Sequence, residues 1–259
     1  MKAIVLAAGY ATRLYPLTKD RPKPLLDIGG KPVLEYILAH LEKIQTLDTL
    51  FIVANHKFYP HFEAWQSKCR SPKEILLLDD GSTCEDDRLG AIGDIRFCIE
   101  KQKIREDLLV VAGDNLFDSD LRPFVQSAQK KSPFSSMMLY DVKDLVLARN
   151  YGIVALDAER RIISFEEKPK TPRSTLSAMG VYYFPKEVFG KIETYLKGGS
   201  PQDAPGFFIR WIYQKEAVYG YPCEGTWYDI GDLDSYQRAS RVFGEARLSR
   251  KGFEREEEA

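Results

Sequence analysis

Lys2-Ala3-Ile4-Val5-Leu6-Ala7-Ala8-Gly9-Tyr10-Ala11-Thr12-Arg13-Leu14 decides how the rest of the chain is read. Lys2 to Ala7 is a short apolar run that holds β-branched Ile4 and Val5 and ends in small residues, the pattern of a buried strand running into a loop. One cation followed by an apolar stretch also suits a weak signal peptide, but Tyr10 to Lys19 is polar and basic with no clean cleavage site, so the segment reads as strand. Beyond it, Pro32 opens a helical pattern in which Val33, Leu34, Ile37, Leu38, Leu41 and Ile44 recur. Leu50 to Ala54 predicts a second strand, Phe58 to Cys69 a helix, and Glu74 to Leu78 a third strand. Ala91 to Lys101 predicts a helix and Leu108 to Ala112 a fourth strand, ending at Gly113-Asp114-Asn115. This alternation predicts an α/β fold, Rossmann-like, with a mixed, mostly parallel sheet and helices on both faces. Ligands bind such sheets beyond the carboxyl ends of the strands, which directs attention to the loops after Ala7, Leu78 and Ala112.

The second half changes character. Ser135 to Asp141, Gly152 to Leu156, Ile162 to Glu166 and Met179 to Phe184 read as strands joined by short turns. Helical patterns follow at Lys186 to Leu196 and Phe207 to Lys215, then a strand at Val218 to Tyr221 and a helix at Leu233 to Phe243. This is a mixed α/β extension on the Rossmann-like half. Arg247 to Ala259 is highly charged and is expected to fray.

At 259 residues the chain suits one large domain or two small ones, with a sizeable core. Lys and Arg number 37 against 38 Asp and Glu, so the basic excess of a nucleic-acid-binding protein is missing. No apolar run approaches the ~18–20 residues of a membrane span. Cys69, Cys84, Cys98 and Cys223 lack CxxC spacing and read as reduced thiols of a cytoplasmic protein. No HExxH pair supports a zinc hydrolase, and no hexapeptide repeats announce a β-helical domain. The sequence specifies no oligomeric state.

Chemistry concentrates after the first strand. Small residues around Leu6, Ala8 and Gly9 let backbone N–H groups approach a phosphate chain or a base. Arg13, and Lys23 in Pro22-Lys23-Pro24-Leu25-Leu26, add the cations a triphosphate needs. The loop is neither GxxxxGK[ST] nor GxGxxG. Asp114, just past an apolar strand, is placed to hold Mg²⁺ at phosphates, and Trp227-Tyr228-Asp229-Ile230-Gly231 offers a second acid. Such acids equally make turns and caps. In Ser164-Phe165-Glu166-Glu167-Lys168-Pro169, Lys168 can grip a phosphate at a strand end. Strict alternation puts Glu167 and Lys168 on opposite faces, so both serve one site only if the strand ends or twists there, and Pro169 suits an ending.

These motifs together resemble the sugar nucleotidyltransferases, whose pattern is LA(G/A)GxGTRLxPLT followed by PKPLL; Ala11 replaces the second glycine. The resemblance spans residues 1–245 and is strongest to glucose-1-phosphate thymidylyltransferases and their uridylyl and cytidylyl relatives. It implies one domain, 1–245, with an NTP-binding half at 1–118, a sugar-phosphate-binding half at 119–245 and a charged tail at 246–259. It implies transfer of a nucleotidyl group from an NTP to a sugar 1-phosphate, releasing pyrophosphate. Mg²⁺ on Asp114 and Asp229 would assist in-line attack at the α-phosphorus. Arg13, Lys23 and Lys168 take the catalytic cation roles. Leu6, Ala8, Gly9, Arg13, Lys23, Asp80 and Gly90 fall on the nucleotide side. Asn115, Gly152, Glu167, Lys168, Gly180 and Arg210 fall on the sugar-phosphate side. Thymidylyltransferases carry a glutamine in the loop after the third strand. Here Asp79 and Asp80 stand there, and a carboxylate accepts without donating, so the base is not carried over. Two other readings stay open: a nucleotidyltransferase for phosphocholine or a polyol phosphate, and a catalytically silent nucleotide-sugar sensor. The sensor predicts loss of a metal-holding or cationic residue, whereas Arg13, Lys23, Asp114, Lys168 and Asp229 are all present.

Overall fold

The computed structural model describes residues 1–243; the charged tail at 246–259 lies outside the described residues. In chain order the strands are β1 (Lys2–Leu6), β2 (Asp27–Ile28), β3 (Lys31–Pro32), β4 (Thr49–Ala54), β5 (Glu74–Asp79), β6 (Leu108–Ala112) and β7 (Asn115–Phe117). They continue as β8 (Ser136–Asp141), β9 (Gly152–Leu156), β10 (Ile162–Glu167), β11 (Leu176–Phe184), β12 (Tyr219–Cys223) and β13 (Trp227–Asp229). The helices are α1 (Val33–Leu41), α2 (Tyr59–Gln66), α3 (Gly90–Lys101), α4 (Leu121–Gln129), α5 (Leu145–Ala148), α6 (Phe189–Lys197) and α7 (Pro205–Ile212), with a further helical stretch at 233–243.

Among the described residues the main sheet has nine strands, ordered β10-β9-β11-β6-β1-β4-β5, with β8 paired to β11 and β12 to β8. β1 lies parallel to both β4 and β6, and β4 parallel to β5. β11 joins antiparallel to β6 and starts the mixed half. The chain leaves β1 toward β4 on one side and returns to β6 on the other. The carboxyl ends of β1 and β6 therefore meet at a topological switch point, where a crevice opens in such sheets.

Alternation along the central strands builds a core on each face. Ala3 and Val5 of β1 and Leu109 and Val111 of β6 pack with α1, α2 and α4. Ile4, Leu108 and Val110 pack with α3, α6 and α7. Strands covered on both faces are apolar along most of their length, and β4 (Thr-Leu-Phe-Ile-Val-Ala) is buried at every position, with its Thr49 hydroxyl hydrogen-bonded to Lys2 Nζ and Glu74 Oε2.

The short elements escape the sequence pattern. β7 and β13 pair antiparallel as a separate two-stranded ribbon, too brief for a periodic signal. α4 also goes unread from the sequence, although Asp120 caps it by accepting from Arg122 N at 2.9 Å. The first helix ends at Leu41 rather than running on to Ile44, and β11 begins at Leu176 rather than Met179.

Candidate active site

The loop after β1 is held from below. Asn55, fully buried, donates from Nδ2 to Ala8 O at 2.9 Å and accepts from Phe58 N at 2.9 Å. Gly113 N donates to Leu6 O at 2.8 Å, tying the loop after β6 to the end of β1. Gly9 faces open space, with nothing within 4 Å of where a Cβ would stand. Buried Thr18 closes the loop on itself through Oγ1 to Ala11 O at 2.7 Å. Thr18 is the last residue of the family pattern, whereas Asn55 carries no motif signal; a buried polar residue beside a loop becomes meaningful only once its partner is known.

Ala11 adopts the left-handed conformation that the glycine of the family pattern would accept freely, with φ 51° and ψ 41°. The short helical turn Thr12–Leu14 follows, with Leu14 buried as its anchor and Arg13 exposed. Left-handed alanine costs about 1–2 kcal/mol, and glycine returns about 0.4–1 kcal/mol through the unfolded chain. Ala11→Gly is therefore expected to stabilise the protein by about 0.5–1 kcal/mol, seen as a higher urea midpoint at unchanged slope. A lower midpoint would show that the methyl group contributes packing that outweighs the strain.

The ribbon of β7 and β13 assembles the acidic centre. It places Asn115 opposite Asp229, and Ile230 N donates to Asp114 O at 3.1 Å, so Asp114 and Asp229 become neighbours. Burial, and then the Asp114 carboxylate, lift Asp229 to about 6, while Lys23, Arg13 and Lys168 oppose the rise. These five charged residues thus share one electrostatic site. Lys23 Nζ bonds Asp114 Oδ2 at 2.8 Å.

Asn115 is 3% exposed, accepts from Trp227 Nε1 at 2.7 Å and donates to Ala112 O at 3.3 Å, locking β7 to β13. Gly180 faces it: φ is +70°, and a Cβ there would collide with Asn115 Nδ2. The demand on Gly180 thus comes from Asn115's amide and from the register shift in β11 between Ala178 and Tyr182.

Alternation at Glu167 and Lys168 is broken in one step. β10 ends at Glu167, and Lys168 turns left-handed with φ 46°, its N–H bonding Tyr151 O at 3.0 Å. A residue before proline ordinarily stays extended, so this is strain held at the site. The Glu167 carboxylate sits between two glycines: Cβ atoms at Gly152 and Gly206 would each lie 3.0 Å from Oε2. Burial raises its pKa, and Lys168 and Arg210 lower it, which places Arg210 of α7 beside the same carboxylate. Gly206, also on α7, was not marked by any sequence motif. Tyr151 packs against Trp227 with ring centroids 4.8 Å apart and planes tilted by 56°, adding an aromatic wall.

On the far side of the loop after β1, Gly90 is left-handed with φ +73° and stands against the Gln202 backbone, 2.8 Å from a Cβ. Ile92 N donates to Gln202 O at 3.1 Å. Asp80 accepts at Oδ1 from Ser82 N and Oγ, both at 2.7 Å, and so braces the loop after β5.

The switch point thus brings together a small-residue loop, the cations Arg13, Lys23 and Lys168, and two neighbouring carboxylates. The nucleotidyl transferase family model matches residues 2–245. The chain belongs to the nucleotidyl transferase family. It is 33% identical over 241 residues to a protein of Sulfolobus acidocaldarius provisionally named mannose-1-phosphate guanyltransferase, covering 92% of this chain and 62% of that one. It is 31% identical over 231 residues to the bifunctional protein GlmU of Methanocaldococcus jannaschii, covering 89% and 51%. The chain thus spans half to three-fifths of these relatives' length. In fold it is similar to a crystal structure from Bacillus anthracis provisionally named glucose-1-phosphate thymidylyltransferase, at TM-score 0.75 and 25% identity, covering 94% and 95%. Among the described residues no helix is long and apolar enough to cross a membrane.

Proposed function

We propose that this nucleotidyl transferase moves a nucleotidyl group from an NTP to a sugar 1-phosphate, giving an NDP-sugar and pyrophosphate. The observation that carries the proposal is the β7–β13 pairing that sets Asp114, bonded to Lys23 at 2.8 Å, next to Asp229, with Arg13 and Lys168 of the two halves of the chain acting on the same carboxylate. Relatives named as sugar-phosphate nucleotidyltransferases with different bases and sugars support the class of reaction and leave the base and sugar open.

Asp114 and Asp229 suit Mg²⁺. Both offer hard oxygen donors, their like charges oppose each other, and among the described residues no third His, Cys, Asp or Glu joins a cluster with them. Mg²⁺ commonly takes one or two carboxylates and completes its shell with phosphates and water. When bound it would supply charge neutralisation at the phosphates. The chain's own residues do the rest. Backbone N–H groups at Ala8 and Gly9 receive the nucleotide, and Arg13 meets the departing pyrophosphate. Lys23 holds the α-phosphate region, and Lys168 lines up the attacking sugar phosphate. That nucleophile is already ionised, so positioning and electrostatics supply the acceleration and no general base is needed. The convergence of all five charged side chains favours an enzyme over a silent sensor, and Glu167 between its two glycines favours a hydroxyl-rich acceptor over phosphocholine.

Pyrophosphate release, measured across NTPs and phosphorylated sugars and alcohols, tests the proposal. Release with at least one sugar 1-phosphate is expected, and none with any pair would leave the sensor reading. In the productive pair, Arg13→Ala is expected to weaken NTP use and slow release. Arg13→Lys should restore it only in part, because lysine lacks the bidentate fork. Normal turnover by Arg13→Ala would take this residue out of the phosphate site.

A further inference from the structure

Asp94 lies on the buried face of α3 beside Ile92, Ile95 and Cys98 and is only 5% exposed. The proposed mechanism has no use for it. The carboxylate that acts on it is that of Asp80, just past the end of β5. Asp94 Oδ1 and Asp80 Oδ2 are both fully buried, and among the described residues neither meets a donor from any other side chain or from the backbone. Two ionised carboxylates cannot share a dry contact of this kind, whereas one proton between them satisfies both orphaned oxygens.

Asp80 passes the restraint onward. Its Oδ1 holds Ser82 N and Oγ at 2.7 Å, Ser82 is 3% exposed, and Ser82 O accepts from His56 N at 2.9 Å. Asn55, the residue before His56, is buried and donates from Nδ2 to Ala8 O in the loop after β1 at 2.9 Å. A line of contacts therefore runs from α3 through Asp94, Asp80 and Ser82 to the loop that receives the triphosphate.

We propose that Asp94 is a positioning residue for the nucleotide: as a neutral acid it donates to Asp80 Oδ2 and clamps the Asp80–Ser82 turn against the Asn55–His56 segment that holds the loop after β1. The proposal rests on the loop after β1 being the NTP site. Burial first, and then the Asp80 charge, push Asp94 up to about 8, so the proton is retained at neutral pH. The sign follows from that direction. The native pair holds a proton that the unfolded chain would release, so the clamp is intact below about pH 8 and is lost as pH rises through that value. Among the described residues Asp80 is the charged group acting on Asp94; β1, β4, α6 and α7, which also pack against α3, bring none to it. Cys98, one turn along α3, is pushed by burial up to about 12. Burial raises Tyr10, and Asp79 reaches the pair only through Asp80.

Hydrogen exchange over residues 79–84 and 9–12, corrected for the intrinsic pH dependence, should be followed from pH 6.5 to 9.5 in the ligand-free protein. Binding of ATP, GTP, CTP, UTP and dTTP with Mg²⁺ should be titrated over the same range. In the parent, protection of both segments and affinity for the preferred triphosphate should fall together above about pH 8, affinity by about tenfold. Asp94→Asn donates to Asp80 without titrating and should flatten both profiles. Asp94→Leu has no donor and should leave the segments loose at every pH. An alkaline fall that persists in Asp94→Asn overturns the proposal, even if Asp94→Leu does not fold. So does a loosened loop with unchanged affinity. A parent that binds none of the five triphosphates removes the functional reading and this one with it, whereas a flat exchange profile with intact binding overturns the clamp alone.

Discussion

Asp114→Asn and Asp229→Asn are each expected to lower kcat at least ~100-fold while the fold survives, the scale seen when one strong electrostatic stabiliser is removed. Each substitution keeps the size of the side chain and removes one anionic oxygen donor from the facing pair. Asp229 is the more informative. Its carboxylate is raised to about 6 by burial and by Asp114, so in metal-free buffer at neutral pH the ionised form is held against repulsion. Asn at 229 ends that repulsion. Its melting temperature without metal should be no lower than the parent's, while activity collapses. EDTA should abolish parent activity and Mg²⁺ restore it. Full activity in either variant would remove that residue from the metal site. A large fall in melting temperature for Asp229→Asn would mark the acid as structural.

Lys168→Gln should separate the two substrates. Lys168 follows β10, in the half of the chain assigned to the sugar phosphate, whereas Arg13 and Lys23 follow β1. Glutamine removes the charge and keeps much of the length. Binding of NTP with Mg²⁺ in the absence of sugar should survive within roughly threefold, about 0.6 kcal/mol, as suits a residue not in contact. Sugar 1-phosphate affinity and kcat should both fall, kcat by ~100-fold, because the attacking anion is no longer held in line. Glu167→Gln should instead weaken discrimination among sugars at a smaller cost in rate. Calorimetry of each ligand alone, with steady-state kinetics, decides the matter. Loss of NTP binding with sugar-phosphate affinity retained would overturn this division of labour.

Several features were legible without coordinates because their signals are local. The apolar run at Lys2 to Ala7 and the fully buried β4 announce central strands, since a strand covered on both faces is a near-continuous apolar run. The strand–helix alternation through Ala112 follows from period and length. Arg13, Lys23, Asp114, Lys168 and Asp229 could be named because each sits in a motif of contiguous residues. The sequence also posed two backbone questions it could not answer: how Ala11 replaces a glycine, and how Glu167 and Lys168 serve one site. Both are answered by φ values, 51° and 46°, that an L-residue adopts only when its surroundings enforce them.

Tertiary structure alone decided the pairings between distant segments. Strands of three residues have no readable period, so only the β7–β13 ribbon shows that Asp114 and Asp229 become neighbours. The resemblance puts Gly180 on the sugar-phosphate side; the fold adds that Asn115's amide occupies the space its side chain would fill. Gly206 had no motif at all and acquires meaning from Glu167, which approaches from another strand. Asp94 reads in sequence as a polar residue on an amphipathic helix. Its significance comes from Asp80, because a buried charge is defined by what it faces, and that is set by packing between elements far apart in the chain.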